Sequence, residues 1–74
     1  MTESILDARG LKCPLPVLKA EKRLAEIPAG TRLVILATDP MAKIDIPHFC
    51  QQNGYDVSTS QTDGQLRFEI VKAD

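Results

Sequence analysis

Cys13 lies in the stretch Gly10-Leu11-Lys12-Cys13-Pro14-Leu15-Pro16, which places a sulfur atom where a helix is about to begin. Prolines fit the first turn of a helix, where backbone N–H groups lack intrahelical partners, so the cysteine before them is expected at the N-cap. The positive end of the helix dipole, with Lys12 and Arg9 close by, favours thiolate over thiol. We therefore predict a lowered pKa for Cys13, a hydrogen bond from the Leu15 N–H to its sulfur, and a reactive nucleophile rather than a mere helix cap.

Two other residues carry groups that are common in active sites, Cys50 and His48. Cys50 shares a helical face with Ile46 and Phe49, which favours packing in the core over a role as a resolving thiol. His48 is expected on the surface of the same helix and not in catalysis. Their spacing from Cys13 has no zinc-motif character, so no metal site is predicted. A thiol redox protein is a less favoured alternative that would need a Cys13–Cys50 disulfide, because Cys-x-x-Cys is absent.

The length and composition of the chain limit what kind of site it can form. Its 74 residues make one domain, 1–74, and include three aromatic residues, so a surface site is expected rather than an enclosed pocket. Two cysteines are too few for a disulfide scaffold, and the first residues lack a basic and apolar leader. We therefore expect a cytoplasmic protein with reduced thiols and no membrane segment, since the longest apolar run, 33–37, has only strand length.

Positive charge is concentrated around Cys13. The chain has a net charge of −1, yet segment 9–23 contains five cations and one carboxylate. The cations are Arg9, Lys12, Lys19, Lys22 and Arg23. Arg9 and Lys12 are expected beside the thiol, and the other three on the outer side of the helix, where they would guide an anionic partner. A solvated helix face without a partner is the alternative.

Hydrophobic pattern and turn residues predict the order β-α-β-α-β-β: strand 4–8, helix 13–27, strand 32–38, helix 45–53, and strands 55–61 and 65–71. Because Pro47 would break a helix running on from Pro40, we predict a single turn after Asp39 and a second helix capped by Asp45. Two helices cannot cover both faces of four strands, so both are expected on one face. The predicted fold class is therefore an α/β two-layer sandwich.

The first two strands are expected to be parallel, because a helix connects them. Functional groups of parallel strands gather at the carboxyl ends, where Cys13 follows the first strand and Asp39 follows the second. Asp39 is therefore a candidate neighbour of the thiol, although capping the turn that begins at Pro40 is the favoured role.

The same residues carry a resemblance to a known family: Leu6-Asp7-Ala8-Arg9-Gly10-Leu11-Lys12-Cys13-Pro14-Leu15-Pro16, then Thr38-Asp39-Pro40 and Asp45-Ile46-Pro47. Over essentially its whole length the chain resembles the TusA family of small sulfur-carrier proteins, also called SirA-like. The resemblance implies a mixed four-stranded sheet with two helices on one face. It also implies that Cys13 carries sulfane sulfur as a persulfide, with no other cofactor. The implied partners are a cysteine desulfurase or rhodanese as donor and another sulfur-relay protein as acceptor, serving tRNA thiolation, molybdenum cofactor synthesis or sulfur oxidation.

The sequence thus predicts a monomeric sulfurtransferase that acts as a persulfide carrier rather than as an enzyme with an enclosed pocket. Gly10 permits the tight loop before Cys13, and Pro14 and Pro16 shape the start of the helix. A regulatory or nucleic-acid-binding module of the same fold is the alternative. It has little support, because the chain has few aromatic residues for stacking on bases, so nucleic acid is expected to be involved at most indirectly.

Overall fold

The structure, a computed structural model, describes residues 3–72. Its elements are β1 (Glu3–Ala8), α1 (Leu15–Glu26), β2 (Arg32–Ala37), α2 (Ala42–Asn53), β3 (Asp56–Thr62) and β4 (Gln65–Val71). The predicted order β-α-β-α-β-β is confirmed. The predicted domain 1–74 extends beyond the described residues by two positions at each end.

The four strands form one mixed sheet in the order β1-β2-β4-β3. β1 and β2 are parallel, with Glu3 opposite Arg32 and Ala8 opposite Ala37. β4 is antiparallel to both β2 and β3. The carboxyl ends of β1 and β2 therefore meet at one end of the sheet, where the two following loops must also meet.

The hydrophobic core lies between the two helices and one face of the sheet. Alternate residues of the central strands point into it, and Leu33, Ile35, Phe68 and Ile70 are fully or almost fully buried. Ala20 and Leu24 of α1 and Ile46 and Cys50 of α2 cover them. Both helices thus pack on one face, which confirms the predicted two-layer sandwich with its mixed four-stranded sheet.

The other face of the sheet is covered by side chains instead of helices. Arg32 of β2 forms an ion pair with Glu69 of β4 at 3.5 Å, and Glu69 forms a second pair with Arg67 of the same strand at 3.1 Å. Val34 of β2 is nevertheless fully buried on this side. The continuous apolar run of β2 therefore belongs to a central strand whose outer face is covered by neighbouring side chains.

The turn between β3 and β4 has the geometry that its sequence predicts. Asp63 and Gly64 both have positive φ, 52° and 76°, which is the requirement of a two-residue type I′ hairpin turn. This turn fixes the register in which Leu66, Phe68 and Ile70 face the helices.

The first helix begins later than predicted. Its N-cap is Pro14, with Leu15 and Pro16 in the first two helical positions, so the prediction that Cys13 is the N-cap is wrong. The Leu15 N–H donates to the carbonyl of Lys12 at 2.8 Å and therefore not to the cysteine sulfur. A turn over residues 12–15 thus precedes the helix and leaves Cys13 outside it.

The N-cap of the second helix lies four residues earlier than predicted. Ala42 is its first residue, Met41 is its N-cap, and Pro47 lies inside it, so Asp45 is not the cap. Pro47 only removes the hydrogen bond to the carbonyl of Lys43, at the start of the helix, while packing of the inner face favours the helix on both sides of it. Gly54 follows the helix with φ 74°, so the predicted end of the helix at residue 53 is confirmed.

Long-range side-chain contacts fix α1 at the far end of the sheet from Cys13. Lys72 donates through Nζ to the carbonyls of Leu24 and Ile27, at 2.5 and 2.7 Å. A cation at these positions satisfies carbonyls that have no partner within the helix and complements the helix dipole.

Within residues 3–72, no helix is long and apolar enough to span a membrane.

Candidate functional site

The loop between β1 and α1 holds Cys13 against the end of β2. Gly10 has φ 81°, a left-handed conformation that glycine adopts without steric cost. Its N–H donates to Oγ1 of Thr38 at 2.9 Å, and the Leu11 N–H donates to the carbonyl of Ala8 at 3.2 Å. The tight turn therefore places the next residues, up to Cys13, beside the segment that follows β2.

Asp39 connects the two loops. Its Oδ2 accepts the backbone N–H of Cys13 at 2.7 Å, and its Oδ1 accepts the N–H of Met41 at 3.1 Å, just before α2. Hydrogen bonds from these two N–H groups lower the pKa of Asp39, with a smaller contribution from the positive charge of Lys12. The structure thus places Asp39 both at the turn and beside Cys13, so the two roles considered for it are not exclusive.

The sulfur of Cys13 is exposed and touches a carboxylate from α2. Its S–H donates to Oδ2 of Asp45 at 2.6 Å. This hydrogen bond, partial desolvation and the negative charges of Asp45 and Asp39 raise the pKa of Cys13. The expectation of a lowered pKa is therefore wrong, because negative side chains distant in sequence outweigh the local cations.

The cations beside Cys13 in sequence are directed elsewhere. Arg9 donates to both oxygens of Asp7, at 2.8 and 2.9 Å. The pair lowers the pKa of Asp7 to about 2, and the positive charge of Arg9 is largely compensated. Lys12 exerts its charge on Asp39. Neither cation therefore gives the thiol the positive surroundings that the sequence suggested.

An open groove of about 270 Å³ lies beside Cys13, between the start of α1 and one side of α2. Its lining residues are Cys13, Pro14, Val17, Asp45, His48, Phe49 and Gln52. His48 is exposed on α2, as expected, and contributes a polar group to a lining that is otherwise largely apolar. The sulfur therefore faces a shallow surface depression and not an enclosed pocket, which agrees with the expectation drawn from chain length.

Four large apolar side chains are exposed at the starts of the two helices. They are Leu15, Leu18, Met41 and Ile44, with exposed fractions of 45%, 51%, 48% and 63%. Exposed apolar clusters of this kind are typical of protein–protein contact sites. These residues are not among those predicted from the sequence, although Leu18 and Ile44 lie off the buried stripes of their helices and so carry a recognisable signal.

The three cations that were predicted to guide a partner differ in their exposure and in the hydrogen bonds they make. Lys19, Lys22 and Arg23 line one depression between α1 and β1, together with Leu6 and Glu26. The Arg23 guanidinium donates to Oγ of Ser4 and to the carbonyl of Ile5, at 2.7 and 3.2 Å, and so ties α1 to β1. Lys19 and Lys22 are exposed. Arg23 therefore has a structural role in addition to any contribution to surface charge.

Cys50 lies in the core and not in the site. Its side chain is fully buried, and burial raises the pKa of its thiol to about 11. Both cysteines are free. Among residues 3–72 no group of three or more histidine, cysteine or acidic side chains is arranged to hold a metal ion.

The structure thus defines a small α+β sandwich with an exposed cysteine where the loops after two parallel strands meet. A family model described as "Sulfurtransferase TusA" matches residues 4–72. The chain is 42% identical to the sulfur carrier protein TusA of Allochromatium vinosum over 69 residues, which cover 92% of this chain and 91% of the relative. It is 41% identical to TusA of Pseudomonas putida strain F1 over 61 residues, which cover 82% and 76%.

A solved structure shows the same fold. The SirA-like protein of Desulfitobacterium hafniense superposes with a TM-score of 0.85 at 29% identity, covering 95% of this chain and 97% of that one. The chain belongs to the TusA family.

Proposed function

We propose that this protein is a sulfur carrier that accepts sulfane sulfur on Cys13 as a persulfide and passes it to a thiol of the next protein. The observation that carries this proposal is the exposed sulfur of Cys13 beside an open groove, in a family whose members are named sulfur carriers. A carrier needs a thiol that partners can reach from outside, whereas an enclosed pocket would exclude them.

The exchange needs no further cofactor. The thiolate of Cys13 attacks the outer sulfur of a donor persulfide, the donor S–S bond breaks, and the donor leaves as a thiolate that takes up the proton lost by Cys13. Delivery is the same reaction with the acceptor thiol as nucleophile. Sulfur therefore moves at the sulfane level, without an external oxidant or reductant.

Protein partners are supported by the surface around the site. A donor such as a cysteine desulfurase or rhodanese, and an acceptor from a sulfur relay, must each bring a thiol to Cys13. The apolar side chains of Leu15, Leu18, Met41 and Ile44 offer contact area, and Lys19 and Lys22 favour a partner with acidic groups. We place this monomeric carrier in the cytoplasm, where thiols stay reduced.

The regulatory or nucleic-acid-binding alternative is not favoured. The relatives are named sulfur carriers. The sheet face opposite the helices carries positive and negative side chains in ion pairs rather than a basic surface.

Mass spectrometry tests the proposal directly. After incubation with a cysteine desulfurase and cysteine, the wild-type protein should gain the mass of one sulfur atom, and a reductant should remove it. Cys13→Ser should stay unmodified, and Cys50→Ser, the matched control, should still be loaded. Loading that persists in Cys13→Ser would refute the assignment of the carrier thiol.

A further inference from the structure

Two carboxylates approach Cys13, and one of them contacts its sulfur. Asp39 accepts the backbone N–H of Cys13, whereas Oδ2 of Asp45 accepts the S–H at 2.6 Å. Asp45 lies in the first turn of α2, where the helix dipole favours a negative side chain. Asp45 therefore touches the atom at which sulfur would be gained and lost.

We propose that Asp45 biases sulfur exchange at Cys13 toward release, because it holds the empty cysteine as a hydrogen-bonded thiol and so favours delivery of sulfur over its retention. This inference rests on the proposed function, since it concerns the direction of exchange at the same cysteine.

Delivery of sulfur leaves Cys13 as the hydrogen-bonded thiol that the structure shows. The acceptor thiolate attacks the outer sulfur of the persulfide, the S–S bond breaks, and its electron pair stays on Sγ of Cys13. Sγ then takes the proton that the acceptor thiol has lost and donates it in a hydrogen bond to Asp45. The exchange converts one persulfide and one thiol into one thiol and one persulfide, so atoms, protons and electrons balance.

The loaded form lacks this stabilisation. Sγ of a persulfide carries no hydrogen and cannot donate to Asp45, and an anionic outer sulfur is repelled by neighbouring carboxylates. The charged or titratable groups near Cys13, from its own loop and from the segments packed against it, are Lys12, Asp39, Asp45 and His48. Of these, Asp45 makes the hydrogen bond to the sulfur.

The first measurement is the rate of Cys13 alkylation by iodoacetamide as a function of pH, followed by mass spectrometry. Asp45→Asn keeps the size and an acceptor oxygen but removes the charge, and Asp45→Ala removes both. Each should increase alkylation at neutral pH about two- to fivefold, the range of an exposed charge interaction, and move the profile to lower pH. The matched control is Asp56→Asn, which removes a carboxylate at the opposite end of the sheet.

The second measurement is the exchange equilibrium with glutathione persulfide and glutathione at neutral pH. The equilibrium constant for loading should rise about two- to fivefold in Asp45→Asn relative to both the wild type and Asp56→Asn. Thermal unfolding shows whether each variant is folded. If Asp45→Asn is misfolded, Asp45→Ala replaces it in both measurements.

The outcomes separate this inference from the function on which it rests. If the wild type gains sulfur and both Asp45 variants load to the same extent as the wild type, the role of Asp45 in release is refuted. If the wild type gains no sulfur from either glutathione persulfide or a cysteine desulfurase, the proposed function fails, and the release role fails with it. An unchanged alkylation profile in both Asp45 variants would also refute the hydrogen bond as the controlling contact.

Discussion

The two cysteines lie in opposite environments although both are free thiols. Cys50 is surrounded by core side chains, and burial raises its pKa to about 11. Cys13 is exposed, and its pKa is raised by a hydrogen bond to a carboxylate. Accessibility rather than acidity therefore distinguishes the candidate carrier thiol.

Substituting each thiol by a hydroxyl should show this contrast in stability. We expect Cys50→Ser to lower the free energy of unfolding by about 1–3 kcal/mol, because it buries a hydroxyl in an apolar site. Cys13→Ser should leave the urea unfolding midpoint nearly unchanged, because the residue is exposed. Urea denaturation followed by circular dichroism measures both, and equal losses would contradict the assigned environments.

The loop that carries the exposed Cys13 could be predicted from the sequence, but the electrostatics around its sulfur could not. Gly10, Pro14 and Pro16 identify a loop followed by a helix, and that loop exists. The direction of the Cys13 pKa shift depends on Asp39 and Asp45, whose positions relative to the sulfur are set by the tertiary fold. The local cations gave the wrong sign because Arg9 pairs with Asp7 and the charge of Lys12 acts on Asp39.

At the scale of elements, the site depends on two loops that hold one another in place. Gly10 is bonded to Thr38, and the N–H of Cys13 is bonded to Asp39, so the loop after β1 is attached to the loop after β2. Asp39 also contacts the N-cap of α2 through the Met41 N–H. One side chain thus fixes the cysteine relative to the helix that carries Asp45.

We expect Asp39→Ala to increase amide hydrogen exchange at Cys13 and Met41 and to lower the melting temperature near neutral pH. The pKa of Asp39 is lowered in the folded state, so its stabilising effect is present above the pKa of an unfolded aspartate, about 3.9, and is lost as pH falls through the folded value. The difference in melting temperature between wild type and variant should therefore shrink below about pH 4.

Asp56→Ala serves as the control for this measurement and should change neither amide. Unchanged protection of Cys13 and Met41 in Asp39→Ala would show that the loops are held by other contacts.

The second helix illustrates why element boundaries were harder to predict than element order. From the sequence, Pro47 predicts a break in a helix from Pro40, yet α2 runs through it from Ala42. The cost of one missing hydrogen bond is local, whereas the gain from packing Ala42, Ile46 and Cys50 into the core is tertiary and cannot be read from a local signal.

At the scale of the whole molecule, opposite faces present different charge. Lys19 and Lys22 are exposed on α1, the helix that follows Cys13. Arg32 and Arg67 are paired with a carboxylate on the sheet face opposite the helices. A partner that approaches along α1 therefore meets two exposed lysines, in a depression that also contains Glu26.

Removing this charge should slow sulfur transfer with a protein partner. We expect Lys19→Gln with Lys22→Gln to lower the association rate with a cysteine desulfurase, with a smaller effect at high salt, because the attraction is screened. Arg23 is left intact because it ties α1 to β1. Stopped-flow transfer assays at two salt concentrations measure the effect.

The matched control is Arg32→Gln with Arg67→Gln, which changes the net charge equally on the other face. Equal slowing by the two double variants would indicate a general charge effect, and iodoacetamide, which is neutral and needs no docking, should react with Cys13 at similar rates in all of them.

The strand register also shows which residues lie at each end of the sheet. Glu3, Arg32 and Val71 lie side by side at one end of the sheet, and Lys72 follows there, while Cys13 lies beyond the other end. The six residues of β2 span about 17 Å between the two ends. A surface, fluorophore or fusion partner attached on the Lys72 side therefore leaves the thiol facing solution, so the protein can be immobilised as an oriented probe whose sulfur loading is read without detaching it.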